Sequence, residues 1–143
     1  MKKLIYTWKD FDTDTKRLVK TLDFQPRTII SLARGGLTLG VRLSSILNTD
    51  FCVLGIRSYK SHQRGRIQVY QKIPSVLKLP ILIVDDISDS GETFKYVLSK
   101  VLNYDELYLT KTLSLFIRET TKFIPDYYLH KVKKEWIVFP WEK

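Results

Sequence analysis

Cysteine is almost absent from this chain of 143 residues, since Cys52 is the single example. One thiol excludes an internal disulfide, and the two histidines form no Cys/His cluster of the kind that binds structural zinc. No apolar run has the length of a membrane-spanning helix, and the basic N-terminus lacks the apolar segment of a signal peptide. We therefore expect a cytoplasmic protein with no membrane span.

Acidic residues are the minority among the charges. Fifteen Asp and Glu stand against 24 Lys and Arg, which gives a formal net charge of +9. A basic surface attracts nucleic acid, anionic lipid or a polyanionic small molecule, or it is simply solvated. Because the basic residues are scattered everywhere except in 60–72, charge alone does not decide between these alternatives.

Short apolar runs alternate with segments of helical periodicity along the whole chain. The pattern predicts strands at 4–8, 28–33, 51–59, 67–70, 81–85 and 106–116. It predicts three helices, around 18–22, 39–47 and 94–102, the first capped by Asp10, Asp12 or Thr13. Residues 58–65 have no periodicity and are predicted to be a long loop. Alternating strands and helices favour an α/β fold, a mostly parallel sheet flanked by helices, in a single domain over 1–143.

A buried strand, an acidic pair, a small polar turn and a helix follow one another between residues 81 and 102. A turn of this type surrounds a phosphate with backbone N–H groups, while Asp85 and Asp86 are placed to hold ribose hydroxyls or a divalent metal. Adjacent strand side chains point to opposite faces, so two carboxylates sharing one ligand predict that the strand has already broken. The alternative is a solvated strand end with a helix cap.

Arg34-Gly35-Gly36 ends a second apolar strand and precedes a helix. Such a turn presents backbone N–H groups and one guanidinium to an anion, or it is a glycine turn with a surface arginine. The carboxyl ends of parallel strands share one edge of a sheet, so we expect this turn beside the acidic pair.

Four other features have two interpretations each. Asp89 is either a helix N-terminal charge or a group that contacts whatever reacts with the bound sugar. The basic segment 59–66 is a lid over an anionic substrate or an exposed hairpin tip. The aromatic run 136–141 packs in the core or forms a platform for a flat base. His62 is interpreted as a bystander, and His130, with no acid near it in the sequence, receives no role.

Together these segments resemble the type I phosphoribosyltransferases. Residues 84–93, VDDISDSGET, are similar to that family's motif for phosphoribosyl pyrophosphate (PRPP). Arg34-Gly35-Gly36 is similar to its pyrophosphate loop, and 136–142 to the hood of the bacterial xanthine-guanine and hypoxanthine branch. Residues 6–8 and 58–59 also suit that branch, so the resemblance spans nearly the whole chain.

The resemblance implies transfer of 5-phosphoribose from PRPP to a 6-oxopurine base (xanthine, guanine or hypoxanthine), with release of pyrophosphate, as in purine salvage. It implies Mg²⁺ as cofactor, PRPP and a purine base as substrates, and a homo-oligomer, dimer or tetramer. Nucleic acid is not expected as a partner. The implied fold is the type I phosphoribosyltransferase fold, with a small C-terminal hood formed by the N-terminal strand and about 118–143.

The resemblance also implies residue roles. Asp85 and Asp86 hold the ribose hydroxyls, partly through Mg²⁺, and with Asp89, the proton acceptor at N7 of the base, they are the catalytic set. The 5′-phosphate lies on Ser88, Asp89, Ser90, Gly91, Glu92 and Thr93, and the pyrophosphate on Arg34, Gly35 and Arg64 or Arg66. Trp136 stacks on the base, the Ile137 backbone contacts its edge, and Arg118 stands where the branch usually has a lysine for the 6-oxo group. A cis peptide is expected at Ala33–Arg34.

Two other functions use the same features. A PRPP- or nucleotide-sensing regulator of the same fold would bind nucleic acid through the basic surface. A pyrimidine-specific relative would take uracil or orotate. The acidic Asp89, the lid and the hood favour the enzyme, because a sensor has no need of a proton acceptor beside the base.

Overall fold

The computed structural model of the chain describes residues 1–59 and 66–142. None of the helices within these two ranges is long and apolar enough to cross a membrane. The strands are β1 (Lys3–Ile5), β2 (Thr28–Ala33), β3 (Asp50–Tyr59), β4 (Arg66–Gln71), β5 (Ile81–Ser88), β6 (Thr110–Arg118), β7 (His130–Val132) and β8 (Trp136–Val138). The helices are α1 (Trp8–Thr21), α2 (Leu37–Leu47), α3 (Glu92–Tyr96) and α4 (Tyr104–Tyr108).

Strands β4-β3-β2-β5-β6-β7 form one sheet in that order. All neighbours are parallel except β3 and β4, which pair as an antiparallel hairpin. A second, two-stranded sheet pairs β1 with β8 in parallel, with Leu4 opposite Ile137. The architecture confirms the predicted α/β fold with a mostly parallel sheet flanked by helices.

The central strand β5 separates two apolar cores because its side chains alternate between the faces of the sheet. Leu82 and Val84 belong to the core that also contains Leu39 of α2. Ile81 and Ile83 belong to the core that contains Phe94 of α3. All six side chains are at most 1 % exposed, and burial of each contributes about 1.5–3 kcal/mol. Strand β5 is thereby fixed from both sides, and so is the acidic pair at its end.

The N-terminal strand is shorter than predicted. Strand β1 ends at Ile5, and Trp8 is already the first residue of α1. The cap of α1 is Thr7, and not Asp10, Asp12 or Thr13: the Thr7 hydroxyl accepts from the Asp10 N–H at 3.1 Å, and Asp10 Oδ2 accepts from the Thr7 N–H at 2.8 Å. These reciprocal hydrogen bonds satisfy two N–H groups at the helix start. They stabilise a helix from Trp8 onwards, although the aromatic residues around Thr7 are typical of a strand.

Three other boundaries differ from prediction. Residues 106–116 are not one strand, because α4 occupies 104–108 and β6 begins at Thr110. The helix predicted around 94–102 is the short α3 followed by a π-helical turn over Val97–Val101, closed by the Leu102 N–H on the Val97 carbonyl at 3.3 Å. Ser58 and Tyr59, which the predicted strand 51–59 and the predicted loop 58–65 both include, are the last residues of β3, so the strand prediction is the correct one. The rest of that predicted loop, with His62, lies outside the described residues.

His130 does have a nearby acid, contrary to the sequence interpretation. Its Nε2 lies 2.6 Å from Oδ2 of Asp14, a buried carboxylate on α1. The Tyr6 hydroxyl donates to the same oxygen at 2.8 Å, and burial together with the Asp14 charge raises the pKa of Tyr6. The three side chains connect the N-terminal segment, α1 and β7. His130 therefore helps to attach the N-terminal part of the hood to the main sheet.

Candidate active site

Two predicted loops meet at the carboxyl ends of β2 and β5. Arg34 and Gly35, from the turn after β2, line a cavity of about 230 Å³ together with Asp85, Asp86 and Thr93. The parallel pairing of β2 with β5 creates this proximity, since both strands end at the same edge of the sheet. The structure thus brings together residues from the predicted pyrophosphate, ribose and 5′-phosphate groups.

The turn after β2 is shaped by its backbone. The Ala33–Arg34 peptide is cis, which confirms the expectation from the sequence. The Gly36 N–H donates to the Leu32 carbonyl at 2.8 Å and closes the turn. Gly35 lies directly against the acidic pair, because a Cβ placed there would lie 2.6 Å from Oδ1 of Asp86. A side chain at this position would therefore displace the carboxylate.

Strand β5 does not break at the acidic pair, so that prediction is wrong. The strand continues to Ser88, and Asp85 and Ser88 still pair with β6. The Asp85 carboxylate instead folds back on its own strand, with Oδ1 accepting from the Asp86 N–H at 2.9 Å. Both residues line the cavity although the strand is continuous.

The acidic pair is costly to ionise. Burial is the main reason that the pKa of Asp85 is raised well above its ordinary value, and the charge of Asp86 adds to the effect. Burial also raises the pKa of Asp86 to about 6, against the opposing hydrogen bond from Asp85. The buried Asp86 carboxylate and the partly buried Asp85 carboxylate are therefore suited to bind a cation, or to donate and accept hydrogen bonds with hydroxyls.

The turn after β5 depends on Gly91. This residue has φ +87°, and a Cβ there would lie 2.6 Å from the backbone nitrogen of Phe123. Ser88 fastens the start of the turn, because its buried hydroxyl donates to the Phe123 carbonyl at 2.7 Å. Ser90 and Glu92 are exposed, and Thr93 is partly buried at the cavity. The Glu92 N–H donates to Oγ of Ser90 at 3.3 Å, and the N–H groups of Thr93 and Phe94 have no acceptor within the helix, so they are available to an anion.

Arg118 joins the 5′-phosphate turn to the hood. It ends β6, its side chain is 16 % exposed, and Nε donates to Oδ1 of Asp89 at 3.1 Å. Nη1 donates to the carbonyls of Lys133 and Glu135, at 3.2 and 2.8 Å. Within the described ranges Nη2 has no hydrogen-bond partner. One amino group therefore remains to be offered to a ligand.

The hood separates its aromatic residues into two kinds. Trp136 is 56 % exposed, whereas Ile137 on the same strand is buried. Phe139 and Trp141 stack at 4.8 Å in a cluster that contains Tyr6, so these two rings belong to the packed core. Phe139 and Trp141 therefore follow the core-packing interpretation, whereas the exposed ring of Trp136 leaves the platform interpretation as a prediction.

The structure adds two residues to the site, and several predicted residues, among them Asp89, Arg118, Trp136 and Arg66, do not line its cavities. Arg57 of β3 lines the 230 Å³ cavity, and with Glu142 it lines an adjoining cavity of about 710 Å³ that also includes Arg34. The Glu142 charge contributes to the raised pKa of Asp86. Arg66 opens the edge strand β4 and does not line either cavity. Arg64 lies outside the described residues.

The donors at the site suit a hard divalent cation. In the described part of the chain, no group of three or more His, Cys, Asp or Glu side chains is placed to hold a metal ion. Asp85 and Asp86 supply oxygen donors, which Mg²⁺ prefers, and Mg²⁺ commonly takes one or two carboxylates with the remaining oxygens from substrate and water. The residues fit a magnesium ion that has further oxygen ligands from elsewhere.

Comparison with known families is consistent with this geometry. The phosphoribosyl transferase domain family matches residues 5–142, nearly the entire chain. The chain therefore belongs to the phosphoribosyltransferases, a family of enzymes.

Individual relatives are similar over comparable lengths. A solved purine phosphoribosyltransferase from Pyrococcus horikoshii is 34 % identical with a TM-score of 0.85, covering 100 % of this chain and 95 % of that one. The xanthine-guanine-hypoxanthine phosphoribosyltransferase of Helicobacter pylori is 27 % identical with a TM-score of 0.83, covering 96 % and 92 %. The xanthine-guanine phosphoribosyltransferase of Cereibacter sphaeroides is 27 % identical over 95 % of this chain and 84 % of its own length.

Proposed function

We propose that this protein is a purine salvage enzyme that transfers 5-phosphoribose from PRPP to a 6-oxopurine, xanthine, guanine or hypoxanthine, and releases pyrophosphate. The observation that carries the proposal is the cavity at the ends of β2 and β5. There an Arg-Gly turn, a buried acidic pair and the start of α3 converge. The purine-specific names of the relatives support the choice of base.

In this proposal the phosphates are held at two places. The exposed Arg34 guanidinium and the backbone beside Gly35 hold the pyrophosphate. The backbone of 88–93, with the hydroxyls of Ser90 and Thr93, holds the 5′-phosphate. Arg57 is added to the pyrophosphate side because it lines both cavities. Holding both ends of the substrate fixes the bond between the sugar carbon and the pyrophosphate oxygen in position to break.

The acidic pair acts on the ribose between them. As the bond to pyrophosphate breaks, the sugar carbon gains oxocarbenium character, and carboxylates nearby stabilise positive charge in a partly enclosed site. Asp85 and Asp86 are also placed to accept hydrogen bonds from the ribose hydroxyls. Their high proton affinity when empty favours binding of a substrate that brings its own cation.

Mg²⁺ belongs to the proposal as the cofactor, and Asp85 and Asp86 are the residues that would hold it. When bound, it would neutralise charge on the departing pyrophosphate. Glu142 is near enough to affect the pKa of Asp86 and lines the pyrophosphate-side cavity, so it adds a further carboxylate on that side.

The base enters between Asp89, Arg118 and the hood. Trp136 offers an exposed ring on which a purine stacks, and the adjacent backbone of Ile137 contacts the edge of the base. Nη2 of Arg118 donates to the 6-oxo group. Asp89 accepts the proton that leaves N7 as N9 bonds to the sugar carbon, so the proton moves to Asp89 Oδ and the electron pair stays on the base.

Location and assembly are part of the same proposal. A cytoplasmic enzyme that forms a dimer or a tetramer is what the resemblance to bacterial salvage enzymes supports. The regulator and the pyrimidine-specific relative are the competing functions, and no contact in the described residues favours either.

A panel of bases tests the proposal. The protein is incubated with PRPP, Mg²⁺ and one base at a time, and nucleotides are separated by chromatography. We expect product with at least one of xanthine, guanine and hypoxanthine, and none with adenine, uracil or orotate. Product with uracil or orotate would identify the pyrimidine relative. Absence of any product, combined with salt-sensitive RNA or DNA binding, would support the regulator instead.

A further inference from the structure

A second cleft lies at the C-terminal end of α3, whereas the 5′-phosphate turn precedes the helix. Its volume is about 320 Å³, within the range of small-molecule sites. Its apolar surface comes from Leu54 of β3, Val69 of β4 and Ile73 of the following connector, all of which belong to or pack against one core. None of its lining residues has a part in the proposed transfer of phosphoribose.

The rim of the cleft carries positive charge and hydroxyl groups. Lys72 and Lys100 both line the cleft, and neither forms an ion pair with any residue in 1–59 or 66–142. The Tyr96 hydroxyl, partly buried, has no hydrogen-bond partner in the same ranges. The one acid in the lining, Glu106, already accepts from the Asn103 N–H at 3.1 Å in the cap of α4.

The wall on the α3 side is the π-helical turn. Lys100 and Val101 of this turn line the cleft, and Tyr96 immediately precedes it. A π-helical turn is rare within α-helices, and such turns occur frequently at functional sites. Here the irregular turn is the part of the helix that meets the cleft.

We propose that this cleft is a second ligand site for a small aromatic anion, a molecule with an apolar ring system and one phosphate or carboxylate group. The ring lies on Leu54, Val69 and Ile73, and the anionic group lies between Lys72 and Lys100. The Tyr96 hydroxyl donates to the same anionic group. Apolar contact supplies affinity, and the paired ammonium groups select the anion.

Ligand binding in the cleft is coupled to PRPP binding, a consequence that rests on the proposed function. Helix α3 is only five residues long, begins after Gly91 of the 5′-phosphate turn and continues directly into the π-helical turn. A ligand at one end of so short an element changes the free energy of the turn at the other end. By linkage, each ligand changes the affinity for the other by the same factor.

The probe for the test is 8-anilinonaphthalene-1-sulfonate, which combines fused rings with one anionic group. Binding is followed by fluorescence and by backbone amide chemical shifts of the full-length protein, with saturating PRPP and Mg²⁺ present. We expect saturable binding and shifts at 72–75 and 96–101. Shifts confined to the cavity at Arg34 and Asp86, or no saturable binding, would overturn the proposal, and this readout does not depend on catalysis.

Matched variants test the chemistry. Lys72→Gln with Lys100→Gln is expected to weaken probe binding about tenfold, because two charge-assisted contacts are lost. The control, Lys20→Gln with Lys111→Gln, removes the same charge from other parts of the surface and should leave the affinity unchanged. Equal loss in both pairs would overturn the proposal.

Competition identifies the anion. Phenyl phosphate and benzoate are each titrated against the bound probe, and the stronger competitor identifies phosphate or carboxylate as the preferred group. Inorganic phosphate alone should compete poorly, since it cannot use the apolar surface; equal competition would contradict the assigned ring contacts.

The coupling is tested separately. The PRPP dissociation constant, measured with and without the probe, should change by the same factor by which PRPP changes the dissociation constant of the probe. No change would remove the coupling.

Discussion

Arg118 Nε donates to Asp89 Oδ1 at 3.1 Å, and this contact joins the end of β6 to the 5′-phosphate turn. The same guanidinium donates to the carbonyls of Lys133 and Glu135 just before β8. The proposed proton acceptor is therefore paired with a cation before any base binds. In the proposed function an entering purine fits between this ion pair and Trp136, and Arg118 then relates recognition of the base to the position of Asp89.

Replacement of Arg118 tests this relationship. Arg118→Lys keeps the charge but removes the planar fork, so one ammonium group cannot reproduce contacts with Asp89 and two carbonyls. We expect the KM for the base to rise about tenfold and the order of preference among xanthine, guanine and hypoxanthine to change. Steady-state kinetics with each base is the measurement. The control is Arg42→Lys, at a surface pair with Asp12; identical effects of the two changes would contradict the role of Arg118.

Asp89→Asn tests the proton acceptor. The amide cannot take the N7 proton, so we expect kcat to fall about a hundredfold, within the usual contribution of general base catalysis. The dissociation constant of PRPP should change little, because the backbone of the turn is formed by Gly91 and by the Ser88 hydrogen bond. Asp105→Asn, at an exposed carboxylate on α4, is the control. Unchanged turnover in the Asp89 variant would exclude this residue as the acceptor.

Trp136→Ala tests the stacking platform. Loss of the ring is expected to raise the KM for the base about tenfold, since stacking on an aromatic side chain contributes roughly 1–3 kcal/mol. The melting temperature should change little, because Trp136 is 56 % exposed. Trp8 is a matched control: it is 55 % exposed but packs on Phe11. Trp8→Ala should lower the melting temperature and leave the KM unchanged; the reverse pattern would reject the platform.

The raised pKa of Asp86, about 6 against an ordinary value of 3.8, predicts how stability depends on pH. Between these values the folded state binds more protons than the unfolded state, so the free energy of unfolding falls as pH rises through this window. Asp86→Asn removes the penalty and should stabilise the metal-free protein by about 3 kcal/mol at pH 7.5, since one pKa unit corresponds to ~1.4 kcal/mol. The gain should vanish near pH 4. The free energies of unfolding of both proteins are measured by urea unfolding with a chelator at both pH values. A wild type that is more stable than the Asp86→Asn variant at pH 7.5 would contradict the prediction.

Much of the fold and of the site chemistry is predictable because it is local in the sequence. The run 81–84 is apolar on both faces, which only a central parallel strand requires, and the turns at Arg34 and Gly91 each follow such a strand. Strand order then brings the two turns to one edge. The cavity residues Arg34, Asp85 and Asp86 could accordingly be named from pattern alone.

The features that the sequence did not predict depend on distant contacts or on competing local signals. His130 lies 116 positions from Asp14, and Arg57 and Glu142 reach the site from separate elements, so no spacing rule finds them. Residues 6–8 have the composition of a strand, but the capping hydrogen bonds between Thr7 and Asp10 stabilise a helix that begins at Trp8. Strand β5 continues through the acidic pair because its backbone stays paired with β6 as far as Ser88, and the sequence around the pair does not show this pairing.

The most direct measurement follows the phosphorus atoms of a single reaction. PRPP, Mg²⁺ and the protein are combined with xanthine, guanine or hypoxanthine in separate samples, and ³¹P NMR spectra are recorded as the reaction proceeds. The proposed function predicts that, with at least one of these bases, the PRPP signals disappear while pyrophosphate and a nucleoside 5′-monophosphate appear in equal amounts. Unchanged PRPP with each of the three 6-oxopurines, or pyrophosphate released without nucleotide, would contradict transfer of phosphoribose to a purine.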